Sequence, residues 1–167
     1  MGIEHIMARA FRMDEKTWQR HANPWSVWTR YLTLPLLVFI IWSRIWIGLW
    51  FLPLLSLGLI WLFLNPRAFS KPKTTNNWAS KGTFGERIWL ARKRVPIPNN
   101  HAKVAKWLAI LAGLGKFPLI YGLATFDVYT TLVGLAIINL FKSWFIDRMV
   151  WLYEDMKHIP EYSSWLY

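Results

Sequence analysis

The chain has no cysteine among its 167 residues. Disulfides, thiol catalysis and cysteine-ligated zinc or iron–sulfur clusters are therefore excluded, and the redox state of its compartment leaves no mark. Charge is scarce as well, at 17% against roughly 25% in ordinary soluble domains. Acid is scarcer than base, with nine Asp and Glu facing twenty Lys and Arg. No P-loop, dinucleotide fingerprint, nucleophile elbow or HExxH pattern occurs, so those routes to nucleotide, acyl-transfer and zinc chemistry are not signalled. The N-terminal run MGIEHIMARAFRMDEK holds no continuous apolar stretch and does not read as a cleaved signal peptide. Ile6 stands where a myristoylation motif needs Ser or Thr, so no added lipid anchor is expected.

What the chain does have is apolar surface. Hydrophobic residues make up 54%, and the charges avoid two long runs. Tyr31 to Leu64 contains only Arg44, and Trp107 to Phe141 only Lys116 and Asp127. Lipid offers no partner to backbone N–H and C=O groups, so apolar runs of this length read as membrane-spanning helices. As one helix, residues 31–64 would be about 50 Å long, well beyond a hydrocarbon core of roughly 30 Å. Two spans fit if the first starts near Pro24 and the chain turns at Ser43-Arg44; a re-entrant hairpin is the alternative. The second half divides into Val104–Ala124, a turn at ATFD, and Val128–Ile146.

The expected fold is thus an all-α integral membrane protein with four transmembrane helices arranged as two hairpins. An N-terminal amphipathic interfacial helix precedes them, with Ile3, Ile6, Met7, Ala10 and Phe11 on one face. Packing of that helix on the protein's own cytoplasmic loop is the competing reading. The segments are 1–22 (amphipathic), 24–64 (first hairpin), 65–103 (basic loop), 104–146 (second hairpin) and 147–167 (helix extension and tail). Eighteen of the twenty basic residues fall in 1–30, 65–106 or beyond 141, which sets both termini cytoplasmic. The loop region 65–106 carries ten of them against Glu86 alone, a charge suited to anionic lipid headgroups. Positive-inside bias already explains this charge, so nucleic acid is not an expected partner. Trp25, Trp28, Trp61, Trp107 and Trp144 mark the inner interface, while Trp18, Trp78, Trp89, Trp151 and Trp165 are expected on segments resting on the bilayer.

Few residues are placed to do chemistry. Lys116 lies inside a span, roughly 12 Å from the outer turn, with Tyr121, Thr130, Asp127 or carbonyls released near Pro118 as its possible partners. On the last helix, Asp147, Trp151 and Asp155 recur every four residues, as do Glu154 and His158. Two carboxylates and a histidine could hold a metal or move protons, although a solvated charged face is the commoner outcome. The other histidines, His5, His21 and His101, lie far apart in sequence and outside the spans, so no axial haem pair is available; no cofactor or metal is expected.

The string HANPWSVWTRY, His21 to Tyr31, opens the first span. Asn23 suits an N-cap and Pro24 the first helical position, Trp25 and Trp28 share a face, and Arg30 sits one turn inside. His21 and Arg20 beside the helix start favour an anion, so His21, Asn23, Arg30 and Arg148 are the expected lipid or anion set. Pairing of His21 with Asp147, Glu154 or Asp155 would tie the first and fourth helices. The same string resembles the opening motif, His-x-Asn-Pro-x-Ser-x-Trp-Thr-Arg, of a family of small prokaryotic multi-spanning proteins of unknown function. That resemblance implies a bacterial or archaeal cell membrane and brings no activity, cofactor or catalytic residue.

Two functions follow as expectations. The first is a non-enzymatic accessory or assembly subunit of a larger membrane complex, partnered by lipids and by other membrane subunits or copies of itself. The second is a small enzyme acting on a lipid or isoprenoid headgroup at the cytoplasmic face, with His21, Asp147, Glu154, Asp155 and His158 as its catalytic candidates. It requires these, with Asn23, Arg30 and Arg148, to converge.

Overall fold

Asp14 and Asn23 each start a helix by offering a side-chain oxygen to an otherwise unpaired backbone N–H, Asp14 to Thr17 at 2.8 Å and Asn23 to Trp25 at 3.0 Å. The computed structural model describes residues 13–167. It is all-α, and among the described residues there is no strand. Helix α1 is Glu15–His21 and α2 is Pro24–Trp42, with Pro24 at its first position. A single turn, α3 (Arg44–Ile47), and a tight 3-10 turn follow, with Gly48 at φ 55°, where a side chain would be strained. Helix α4 (Phe51–Ala68) then runs back along α2, bringing Asn65 to Ser26. The break at Ser43 lies where the charge pattern puts it.

Asn77 caps α5 (Trp78–Leu90) by accepting from Ser80 N at 2.9 Å. α6 (Asn99–Leu114) and α7 (Lys116–Thr125) are one apolar stretch interrupted at Gly115, three residues before a proline whose missing N–H and ring disturb the preceding turn. Phe126 takes a left-handed conformation at φ 58°, and Asp127 then caps α8 (Val128–Met156) through Tyr129 N and Thr130 N. A last turn, α9, is Pro160–Ser163.

Three stretches are long and apolar enough to cross a membrane: Pro24–Ala68, Asn99–Thr125 and Val128–Met156. The first is folded back on itself as α2 and α4. At 29 residues α8 is about 44 Å long, so it projects past any bilayer it crosses. Large apolar side chains such as Leu36, Phe39, Leu57, Ile120 and Leu140 are exposed along these helices. That is unlike the surface of a soluble monomer and suits contact with lipid.

The buried core lies at the other end. Phe84, Ile88, Trp89, Met149, Leu152, Tyr153 and Tyr162 form one cluster, built by α5 against the projecting part of α8 and the start of α6. Within residues 65–103, α5 is therefore part of a folded layer. Three of their cations are paired within the protein: Arg87 with Glu15, Lys81 with Glu154 and Arg94 with Glu161. Thr75 further stitches the layer to the tail, donating to the Tyr167 carbonyl at 2.7 Å and accepting from Tyr167 N at 2.9 Å.

Several expectations change accordingly. Trp89 is buried, Trp165 packs on Phe84 and Tyr162, and Trp78 stacks on Trp28 at 5.5 Å. Of the five tryptophans expected on the bilayer, Trp151 keeps an exposed face. The third apolar helix starts at Asn99 rather than Val104, with Pro98 preceding it and no side-chain cap. The face formed by Ile3, Ile6, Met7, Ala10 and Phe11 lies outside the described residues, as does His5. The described part of that segment, α1, packs on the protein itself, burying Thr17 and His21.

Candidate functional site

Arg30 lies thirteen residues from the break at Ser43, and Lys142 fifteen from the cap at Asp127. At 1.5 Å per residue both sit about 20 Å from the turns at the far end of their helices, hence at a common level. Helices α1 and α5 close over that level from above. Between α1, α2, α5 and α8 is a cavity of about 330 Å³, lined by Arg30, Lys142, Glu86, His21 and Tyr31 among apolar walls that include Trp18 and Phe145. Among the described residues, two cations, one carboxyl group and one imidazole thus converge where the layer meets the apolar helices.

Each is fixed by its element. Tyr31 bonds the Asn139 carbonyl at 3.2 Å and the Ser143 hydroxyl, tying α2 to α8, while Lys142 Nζ lies 5.4 Å from the centre of its ring. Glu86 arrives on α5, which reaches α8 through Gly82 and Gly85. An added Cβ at Gly82 would meet Ile146, and one at Gly85 would overlap the Met149 backbone. Burial pushes the Glu86 carboxyl above the ordinary glutamate range, against the opposing pull of Arg30 and Lys142. His21 goes the other way: burial, aided by repulsion from Arg30 and Lys142, lowers it to about 3, so its ring is neutral at pH 7.

The His21 ring is oriented by a buried relay. Its Nδ1 lies 2.8 Å from Ser26 Oγ, Ser26 Oγ lies 2.9 Å from Asn65 Oδ1, and Asn65 Nδ2 lies 2.8 Å from Thr29 Oγ1. The Thr29 hydroxyl proton is committed to the Trp25 carbonyl at 2.6 Å, so Thr29 accepts from Asn65. Asn65 then turns its carbonyl oxygen to Ser26, and Ser26 donates to it. Ser26 has no second proton, which makes His21 Nδ1–H the donor and leaves the lone pair on Nε2. This is the wrong direction for activating a serine, and Ser26 is fully buried.

The sequence-derived candidates divide. His21 and Arg30 meet in the cavity. Asn23 caps α2 and its Nδ2 donates to the Ser70 carbonyl, and Arg148 does not line the cavity. His21 pairs with Ser26 rather than with an acid of the last helix. Asp147 accepts from Trp78 Nε1 at 3.1 Å, Glu154 bridges Lys81 and Lys157 at 2.6 Å each, and Asp155 holds His101 Nε2 at 2.7 Å. The three acids thus point to separate neighbours and His158 is exposed, so the four do not form one centre. Among the described residues no three acids or histidines group as metal ligands. Lys116 is exposed at the start of α7, while Asp127 is occupied by its cap and the Thr130 hydroxyl.

Glu86 and Lys142 are site residues that the sequence reading passed over, one as the lone acid of a basic segment and one as an orientation charge. The common level of Arg30 and Lys142 was the available signal. Glu86 offered none, because it enters from a helix whose docking depends on Gly85 meeting the distant Met149 backbone.

A family model described as a family of unknown function (DUF6653) matches residues 2–165. No curated protein and no solved structure matches the chain.

Proposed function

The chain belongs to that family of unknown function, and we propose that it is a non-enzymatic integral membrane protein whose inner cavity binds the headgroup of an anionic amphiphile. The observation that carries this reading is the convergence of Arg30 and Lys142 in one partly enclosed cavity where, among the described residues, Glu86 supplies the one carboxyl group. A guanidinium and an ammonium in a low-dielectric recess favour an anion strongly. The apolar exposed helices on either side suit the tails of such a ligand. An enzyme acting on the same headgroup is less well supported, because its acids serve as partners to Trp78, Lys81, Lys157 and His101.

In this proposal α2, α4, α6 with α7, and α8 are four spans, and both ends lie in the cytoplasm of a bacterial or archaeal cell. The antiparallel folding of α2 on α4 and the basic bias of the inner segments support it. The cysteine-free chain permits a direct test, since single cysteines can be introduced at Thr74, Ser164 and Leu49. Thr74 and Ser164 should label from the cytoplasmic side and Leu49 from the other; labelling of all three from one side ends the four-span reading.

The binding test uses Arg30→Gln and Lys142→Gln proteins in detergent, with retained lipid measured by native mass spectrometry. Each charge-assisted hydrogen bond is worth about 1.5–3 kcal/mol, so each variant should lose at least about tenfold in affinity for anionic lipid while zwitterionic lipid is unaffected. Unchanged retention in both variants rejects the site. An accessory role adds a partner chain to this picture. It is tested by co-purification in gentle detergent, where a lone monodisperse protein would count against it.

A further inference from the structure

The cavity offers more than positive charge, and its other groups say what the ligand must bring. The relay Thr29–Asn65–Ser26 holds His21 as the Nδ1–H tautomer, every link of it at 2.6–2.9 Å and Ser26 and Asn65 fully buried. Among the described residues, Nε2 has no hydrogen-bond partner, and His21 lines the cavity wall. A neutral imidazole in this tautomer presents an acceptor there and no donor. Glu86, on the facing helix α5, adds carboxyl oxygens that also accept.

A simple anion has nothing to offer these acceptors. A bare phosphate diester carries only acceptor oxygens, so against His21 Nε2 it leaves two lone pairs facing each other in a partly enclosed recess, which costs binding. A phosphate that carries a hydroxylated substituent satisfies both halves of the cavity. Its oxygens meet Arg30 and Lys142, and its hydroxyl protons meet His21 and Glu86.

Resting on the anionic-headgroup reading above, we infer that the cavity selects a polyol phosphodiester headgroup, with His21 as the residue that reads the hydroxyl. The shared chemistry is a phosphate next to a hydroxyl, which a lipid or a small soluble phosphate could supply; the cavity's place where the polar layer meets the apolar helices α2 and α8 favours the lipid.

The test compares three short-chain lipids on the intact protein in detergent by titration calorimetry. Dioctanoyl phosphatidylglycerol has the charge and the hydroxyls, dioctanoyl phosphatidylmethanol has the same charge without them, and dioctanoyl phosphatidylcholine is the neutral control. Phosphatidylglycerol should bind about tenfold more tightly than phosphatidylmethanol, the worth of one well-made hydrogen bond. His21→Phe should reduce that ratio toward one, by weakening phosphatidylglycerol binding and by relieving the lone-pair opposition that penalises phosphatidylmethanol. Because this variant removes a buried hydrogen bond and could disturb folding, nitrogen NMR of histidine-labelled native protein provides a second readout. Nε2 should be unprotonated without ligand, and its resonance should shift with phosphatidylglycerol and not with phosphatidylmethanol.

Equal affinity for the two anionic lipids, or an Nε2–H tautomer, overturns the inference and leaves the anion site standing. Failure of both anionic lipids to exceed phosphatidylcholine overturns the anion site itself. Glycerol 3-phosphate binding as tightly as phosphatidylglycerol would overturn the assignment to a lipid.

Discussion

Gly85 touches the backbone of Met149 so closely that a Cβ at position 85 would lie inside the Met149 carbonyl. This contact lets α5 lie flush on α8 and delivers Glu86, the next residue, to the cavity between them. The obstacle is backbone on a straight helix, so no side-chain rotation can relieve it.

Gly85→Ala should therefore destabilise the protein by about 1–3 kcal/mol or more, the usual cost of overpacking. Gly113→Ala is the matched control: nothing lies within 4 Å of its added Cβ, and alanine favours a helix over glycine by up to about 1 kcal/mol. Thermal unfolding in detergent should show the first variant melting earlier and the second unchanged or later. Equal behaviour would mean that α5 does not dock as described.

The neutral, buried His21 makes stability depend on pH. Between about 3, its value in the folded protein, and about 6.5, its ordinary value, the unfolded chain binds a proton there that the native protein does not. Acidification through that window favours unfolding, with a slope of about 1.4 kcal/mol per pH unit from this group. Glu86 acts oppositely, because its raised value lets the native state hold a proton that the unfolded state has released. Arg30 and Lys142, which face both groups, stay charged in the acid range. Stability should fall below pH 6.5, and His21→Gln should fall less steeply; identical slopes would contradict a buried neutral histidine.

Arg44 ties the two hairpins together at the end far from the cavity. Its guanidinium donates to the Leu123 carbonyl, one of the unpaired acceptors at the end of α7, and stacks 4.2 Å from the centre of the Phe126 ring. Arg44→Ala should cost about 1–3 kcal/mol, since it strands the carbonyl and removes the stacked cation. Arg44→Lys should recover only part of this, because an ammonium lacks the flat stacking face. Thermal unfolding of both variants decides, and a full recovery by lysine would show that charge alone matters.

Glu154 offers a contrast. It bridges Lys81 and Lys157, but all three side chains are partly exposed. Such pairs are worth roughly 0–1 kcal/mol. Glu154→Gln should leave the unfolding temperature nearly unchanged, and a loss comparable to that of Gly85→Ala would give this bridge a structural weight that its exposure does not suggest.

What the sequence alone determined about this protein is local. Asn23 and Pro24 start a helix because an amide oxygen and a missing N–H suit its first turn. The charges at Arg44 and Asp127 mark the breaks because the runs around them cannot be solvated by polar neighbours. The resemblance drawn on His21 to Tyr31 pointed to an uncharacterised family, and a model of a family of unknown function covers residues 2–165. Tertiary structure decided the rest. Asn65 is thirty-nine positions from Ser26, and the His21 tautomer depends on the two meeting. His21 finds a neighbour on the next helix rather than an acid on the last, since Asp147, Glu154 and Asp155 are already engaged by Trp78, by Lys81 and Lys157, and by His101. Helix periodicity shows which residues share a face, whereas the partner of that face depends on close packing between distant segments. Here that partner is set by Gly85, which lets one backbone rest on another, and by Gly82, which leaves room for the Ile146 side chain.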